Sequence, residues 1–273
     1  MKGWAWLTPA ALVLLAVAGW PLGRAIWMSL SVSSATNPDD RTFVGIDSYT
    51  AVLTSDDWWM RVGISFVFVA AIVAVQLVLG LMFAGAVRLA TVAAPVARAL
   101  LLVPLTLTAF VTAFASREAF TTGFVPTWVH DDDPGALMSA LAIGAGEVWR
   151  GTGIVTIIVL VGMSRYPASL LAAAAADGAT AWQRFRRVLL PAAGPALAVA
   201  ATYRVLDTLR MVEGPLLADG PGQDVRTATS LLFDTAFSRF ELGLAATMSI
   251  VLLVICLLVA MLLKPLLRVR RVV

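Results

Sequence analysis

The sequence predicts an all-α integral membrane protein with six transmembrane helices, and three observations carry that prediction. Of its 273 residues, 60% are hydrophobic and only 14% charged, with a mean hydropathy of +0.88; ordinary soluble domains carry about 25% charge. Six apolar stretches each provide the roughly 20 residues a helix needs to cross hydrocarbon. Basic residues gather on alternate connecting segments. Helices are preferred to barrel strands because the runs far exceed the roughly 10 residues of a membrane strand.

The stretches are 7–30, 60–87, 99–117, 137–163, 192–215 and 240–263. Placing the N-terminus inside makes 1–6, 88–98, 164–191 and 264–273 cytoplasmic. These segments hold Lys2, Arg88, Arg98, Arg165, Arg184, Arg186, Arg187, Lys264, Arg268, Arg270 and Arg271 out of 20 basic residues, but Asp177 alone of 17 acids. That is the asymmetry of the positive-inside rule, and it puts both termini in the cytoplasm. Ala16-Val17-Ala18 behind Lys2 has the small residues of a signal-peptidase site. The apolar run continues through Ile26, Trp27 and Met28, too long for a signal core, so 7–30 is read as a retained helix. The net charge of +3 reflects this sorting of charge across a bilayer and does not indicate nucleic-acid binding.

The outer loops, 31–59, 118–136 and 216–239, are long and acidic. "HDDDPG", His130 to Gly135, reads as a solvated turn with Asp133-Pro134 starting a helix, since consecutive aspartates on a loop diverge and no second ligand cluster accompanies them. The single cysteine, Cys256, lies in an apolar run. Neither a nucleophile set nor a glycine-rich phosphate loop is present, so no covalent chemistry is expected.

One inner loop, 164–191, is not short. "PASLLAAAAADGATAWQRFRRVLLP" reads as helix, glycine break and second helix, with Pro167 at a helix start and strong helix formers at 172–176. Asp177-Gly178 turns the chain, and Asp177 is placed to cap the second helix. That helix presents Trp182, Phe185, Val188 and Leu189 on one face and Arg184 and Arg187 on another, and Pro191 closes it at the bilayer. By composition, it either docks on a partner or lies on anionic lipid.

Ala173-Ala174, Asp177-Gly178-Ala179, Trp182, Phe185 and Leu190-Pro191 resemble the EAA loop of binding-protein-dependent ABC importer permeases. "WPLGRAIWMSL" (20–30), "FVGIDSYTAVL" (43–53), "GEVWRG" (146–151), "TYRVLDTLRMVEGPLLADGPG" (202–222) and "LGLAATMSIVL" (242–252) are similar to the carbohydrate-uptake permeases of the maltose and trehalose type. The motif glutamate is Ala172 here, and the usual Gly-Gly-Pro of the last outer loop is Asp219-Gly220-Pro221. The resemblance implies a type I importer permease fold, with 1–273 one transmembrane permease domain in a bacterial inner membrane. Ala173, Ala174, Asp177, Gly178, Trp182, Phe185 and Pro191 would then couple it to an ATPase. The implied partners are a second related permease, two ATPase subunits and an extracytoplasmic substrate-binding lipoprotein. ATP and Mg would be bound by the ATPases, with no cofactor in this chain.

Charge inside membrane helices is costly and faces a cavity or a partner. Glu147 and Arg150 lie on the fourth stretch; Arg204, Asp207, Arg210 and Glu213 recur every three residues on the fifth. Two readings stand: Arg204–Asp207 and Arg210–Glu213 pair with each other, or the charges line a substrate path. The resemblance implies lining by Glu147, Arg150, Gly151 and Ile154, and by Thr202, Val205, Leu206 and Leu209, with Asp207 and Arg210 beside them. The implied cargo is a di- or oligosaccharide such as trehalose or maltose, with glycerophosphate-type or amino-sugar cargo as alternatives. Half of a secondary transporter, or a lipid-linked transferase with a metal on Asp131–Asp133, are the rival functions; the first has no need of the hinged inner loop, and the second would need another carboxylate or histidine cluster.

Overall fold

A computed structural model describes residues 8–9, 12–13, 15–34, 37–89, 94–121, 136–164, 166, 169–212 and 227–267. A π-helical turn, Leu15–Gly19, leads into α1 (Trp20–Ser29), with Pro21 in the first turn where its missing N–H costs nothing. These represent the expected first helix, which ahead of Leu15 is helical where it is described, at 8–9 and 12–13. The segment expected to be the first outer loop is more ordered than its composition suggests. It folds into an antiparallel ribbon of β1 (Ser31–Ser34) and β2 (Asn37–Phe43), then a short helix, α2 (Asp47–Leu53).

Helix α3 (Asp56–Leu89) starts ahead of the expected 60–87. Asp56 and Asp57 in its first turn and Arg88 in its last complement the helix dipole. The third expected helix, 99–117, is instead two helices, α4 (Ala94–Thr106) and α5 (Ala109–Thr121), bent by 92°. Pro104 withholds an N–H and crowds the preceding turn. Thr108 then restarts the chain by accepting a hydrogen bond from Val111 N–H at 3.3 Å.

α6 (Ala136–Met163) follows the expected fourth helix, and α7 (Ser169–Ala176) is the first half of the inner loop. α8 (Ala181–Thr208) joins the second half of that loop to the fifth expected span in one helix. Pro191 therefore does not end a helix, contrary to its sequence reading. A π-turn over Phe185–Leu189 pairs Leu190 N–H with Phe185 C=O, and the proline sits at the first turn of the α-helix that resumes there. α9 (Ala228–Phe237) and α10 (Leu242–Leu267) complete the described chain. Four of these helices are long and apolar enough to cross a bilayer, and α4 with α5 make a fifth when the bent pair counts as one span.

The chain divides into two compact units, Met1–Val62 with Ala228–Leu257, and Gly63–Thr227 with Leu258–Val273. In the first, Trp58 is fully buried among Val52, Val62, Leu231, Met248 and Val251. Thr247 Oγ1 donates to the Ser29 carbonyl at 3.0 Å, while the Ser29 and Tyr49 hydroxyls meet at 2.6 Å. In the second, Leu81 and Ala84 of α3 pack with Val155, Val159 and Met163 of α6 and Ala193 and Ala200 of α8. A Cβ at Gly80 would strike Val155, and one at Gly162 would strike Ala196. Small residues let the helix backbones close to van der Waals contact, the attraction that remains when lipid offers no hydrophobic drive. Val67, Val78 and Met82 of α3 stay exposed, as a lipid-facing surface requires.

Candidate functional site

Two clusters in the Gly63–Thr227 unit contain the residues singled out in the sequence. The first is a charge network at mid-helix. Glu147, one turn above Gly151 on α6, accepts both donors of a bidentate Arg150 fork at 2.9 and 3.0 Å. Its Oε1 also accepts from Arg204 Nη2 of α8, and Arg204 Nη1 donates to Asp207. Arg204 Nε donates to Gln76 Oε1 at 2.8 Å, and Gln76 Nε2 in turn donates to the Glu147 carbonyl at 2.7 Å. Thr208 Oγ1 takes a further Arg204 donor at 3.3 Å. Three helices, α3, α6 and α8, are thus fastened through one guanidinium.

Two carboxylates balance two guanidiniums here, which is what allows such charge inside a membrane protein. The Arg204 side chain is 1% exposed and Glu147 7%, against 20% for Arg150 and 25% for Asp207. Glu147 and Arg204 are therefore consumed by each other and by Gln76. Arg150 and Asp207, 3.7 Å apart, form the accessible edge. Arg210 is largely exposed, 4.0 Å from Asp207, with Nε donating to the Leu206 carbonyl.

The paired reading thus describes Arg204–Asp207, joined by a Glu147–Arg204 bond between helices that the spacing does not reveal. Glu213 lies outside the described residues, so the Arg210–Glu213 pair does too. Gly151 is buried, and a Cβ there would run into Gln76 Nε2 and the Arg204 guanidinium, so its role in this conformation is to admit the arginine. Of the remaining candidates, Ile154, Thr202, Val205 and Leu206 are half-buried and Leu209 is buried. The Thr202 hydroxyl donates to the Ala198 carbonyl of its own helix at 2.9 Å. A void of about 10 Å³ beside Glu147, walled by Thr112, Gly146 and Met211, has room for no more than one water.

Gln76 and Thr208 are the members the sequence reading missed. A glutamine inside "VAVQLVLG" carries the signal: an amide in hydrocarbon needs partners for both its ends.

The second cluster is the inner loop. α7 ends in a turn in which Asp177, Gly178 and Ala179 N–H groups donate to the Ala173, Ala175 and Ala174 carbonyls at 2.9–3.0 Å. Gly178 has φ of +80°, the left-handed region that glycine occupies without strain. Nothing lies within 4 Å of a Cβ built there, so the requirement is conformational and not one of space. Asp177 is not the cap of the next helix. Thr180 is: its hydroxyl accepts from Gln183 N–H at 3.3 Å, and Gln183 Oε1 accepts from Thr180 N–H at 2.8 Å. The reciprocal pair outcompetes Asp177, which is three residues too early.

Trp182 is 64% exposed and stacks on Phe185 with ring centroids 5.5 Å apart. Phe185 and Leu189 turn inward onto the core of Leu81, Val155 and Ala193, so the aromatic face is split and Trp182 alone projects. Pro167 lies outside the described residues, as do His130 and Asp131–Asp133. Among the described residues, no group of three or more His, Cys, Asp or Glu is arranged to hold a metal.

The chain is 29% identical to the trehalose transport system permease protein SugA of Mycobacterium tuberculosis, over 90% of its own length and 82% of the relative's. It is also 29% identical to the trehalose/maltose transport system permease protein MalF of Thermococcus litoralis, over 93% and 90%. Its fold is similar to that of a subunit in the crystal structure of a bacterial ABC transporter importing the acidic polysaccharide alginate. The TM-score is 0.78 at 16% identity, covering 97% of this chain and 94% of that one. Residues 76–270, from the buried glutamine through both clusters, match the family model for the inner membrane component of binding-protein-dependent transport systems. The chain belongs to that family and is a transport component, a permease subunit of an ABC importer.

Proposed function

We propose that this subunit and a second, related permease form the path for a di- or oligosaccharide of the trehalose or maltose class. Two ATPases would bind ATP and Mg, and an extracytoplasmic lipoprotein would deliver the sugar. The observation that carries this reading is the hinged inner segment. A left-handed glycine turn, a capped second helix and a projecting Trp182 suit this segment to docking on a partner. The trehalose and trehalose/maltose systems named for the two relatives support the sugar class. Buried aromatics dominate interfaces, and Trp182 is the residue offered. With the inner loop on the ATPases, both termini are cytoplasmic.

Closure of the ATPases would draw the paired docking elements together. α8, continuous from Ala181 to Thr208, would pass that movement to the edge formed by Arg150, Asp207 and Arg210. Asp and Arg forks suit vicinal hydroxyls, which bond two at a time to planar groups. A second reading, a glycerophosphate-type anion, is favoured by the third guanidinium, since among the described residues Arg150, Arg204 and Arg210 share two carboxylates, Glu147 and Asp207. Uptake of radiolabelled trehalose and maltose into cells carrying the whole importer, with glycerol 3-phosphate as competitor, tests both. Sugar uptake insensitive to the phosphate supports the first reading; uptake of the anion alone replaces it with the second.

A further inference from the structure

We infer that Arg88, Arg184 and Arg187 form a site for the phosphate of an anionic phospholipid headgroup. All three belong to the Gly63–Thr227 unit and sit where membrane spans stop: α3 at Arg88, α6 at Met163, and α8 beginning at Ala181. Two clefts meet at Arg88. One, of about 220 Å³, is lined by Arg88, Arg187, Tyr166, Leu170 and Val188 among others. The other, of about 250 Å³, is lined by Gly85, Arg88, Arg184, Phe185 and Leu189 among others.

Arg88 is held in place by carbonyls at and just past the end of α6. Its Nη1 donates to Met163 O at 2.7 Å and its Nη2 to Tyr166 O. Arg184 Nε is shut off from solvent, so what Arg184 offers the cleft is the rest of its guanidinium. No carboxylate lines either cleft, and neither Arg184 nor Arg187 pairs with one among the described residues. With no carboxylate beside them, the Arg184 and Arg187 guanidiniums leave donors for an anion in the clefts, and a phosphodiester oxygen is an acceptor that lipid itself supplies. Basic pockets between membrane helices at the headgroup level take anionic lipid in this way. The apolar walls, Leu170, Leu171, Val188 and Leu189, suit a glycerol backbone and the start of acyl chains, surface that free phosphate would leave uncovered. The site requires only that these helix ends lie at a bilayer boundary, so it does not depend on which sugar is carried.

The test is native mass spectrometry of the whole importer released from nanodiscs of phosphatidylcholine with or without phosphatidylglycerol. The wild type should retain phosphatidylglycerol. The double variant Arg184→Gln/Arg187→Gln should bind it about thirtyfold more weakly, the effect of about 1 kcal/mol per arginine at 1.4 kcal/mol per decade. Gly85→Leu should also evict the lipid with every charge intact. A Cβ at Gly85 meets nothing nearer than Leu189 Cδ2 at 3.9 Å, and leucine favours a helix, so folding is preserved. Arg186→Gln, whose side chain lines neither cleft, should retain the lipid. Equal retention by all four proteins would overturn the site. Displacement by inorganic phosphate alone would reassign it to a free anion. A variant effect seen only with the ATPases bound would reassign it to an acidic side chain of that partner.

Discussion

Arg204 shows how much a single side chain can settle. Its guanidinium reaches Gln76, Glu147, Asp207 and Thr208 from one point on α8, so truncation strands a carboxylate inside the unit. Arg204→Ala is expected to destabilise the protein by about 3–5 kcal/mol, seen as a lowered melting temperature in detergent and a lower yield. Glu147→Ala should behave the same way, because it strands Arg204; a loss of uptake there reports folding as much as substrate contact. Asp207→Asn is different. At 25% exposure it sits at the accessible edge, and asparagine keeps an acceptor for Arg204 while losing the charge, so uptake should fall with a smaller drop in melting temperature than for Arg204→Ala. An unchanged rate of sugar uptake in Asp207→Asn would remove that edge from the path. The charges and their threefold spacing are plain in the sequence, and so is the choice between pairing and lining. Which partner each charge takes is not, because Glu147 and Gln76 come to Arg204 across helices and spacing reports only one helix at a time. Gly151 was singled out only through the resemblance, and its role was not legible because the collision it avoids is with another helix.

Among the elements, the inner loop's helix–glycine–helix order was legible because a glycine turn acts locally, whereas its cap was misread, Thr180 taking the place expected of Asp177. Gly178→Val places a β-branched residue at φ of +80° and should disturb the α7–α8 turn. The expected result is loss of ATPase on co-purification. Thr180→Ala removes the capping box at a cost of about 1 kcal/mol and should weaken that association partially. Trp182→Ala and Phe185→Ala now separate. Trp182 projects, so its loss should lower ATPase capture without lowering the melting temperature of the isolated permease. Phe185 also packs on the core, so its loss should lower both. Capture of ATPase by Trp182→Ala at wild-type level would discard the docking role of the projecting ring. The sequence misjudged Pro191 and the stretch 99–117 in opposite directions. A proline two residues past a π-turn is harmless, whereas Pro104 sits inside a helix and helps to break it. Proline alone does not say which; the register of the turn before it does.

At the scale of the whole molecule, the charge sorting that orients the helices makes its own forecast. Single cysteines at positions 39, 132 and 224 should react with an impermeant thiol reagent from outside, and those at 186 and 270 only after the membrane is opened. Reversed labelling at either group would refute the orientation. Hydropathy revealed the membrane class and the approximate spans, because those follow from composition over about 20 residues. The ribbon in 31–43 and the helices α2 and α9 escaped it, being short and placed in loops whose polarity hides them.

The fastening of three helices by one arginine also constrains how the chain is made. Gln76 and Glu147 leave the ribosome before Arg204, which lies 128 and 57 residues behind them. Until it arrives, α6 carries Glu147 with only Arg150 to neutralise it. Release of α6 into open lipid at that stage would expose a carboxylate that a translocon resists partitioning, at about 3 kcal/mol for a central acid. The insertion machinery is thus expected to retain α3 and α6 beside the exit until α8 emerges, so that the three enter the bilayer together. Ribosome-stalled chains ending just short of residue 204 should crosslink to the translocon through α6, and chains extended past α8 should not.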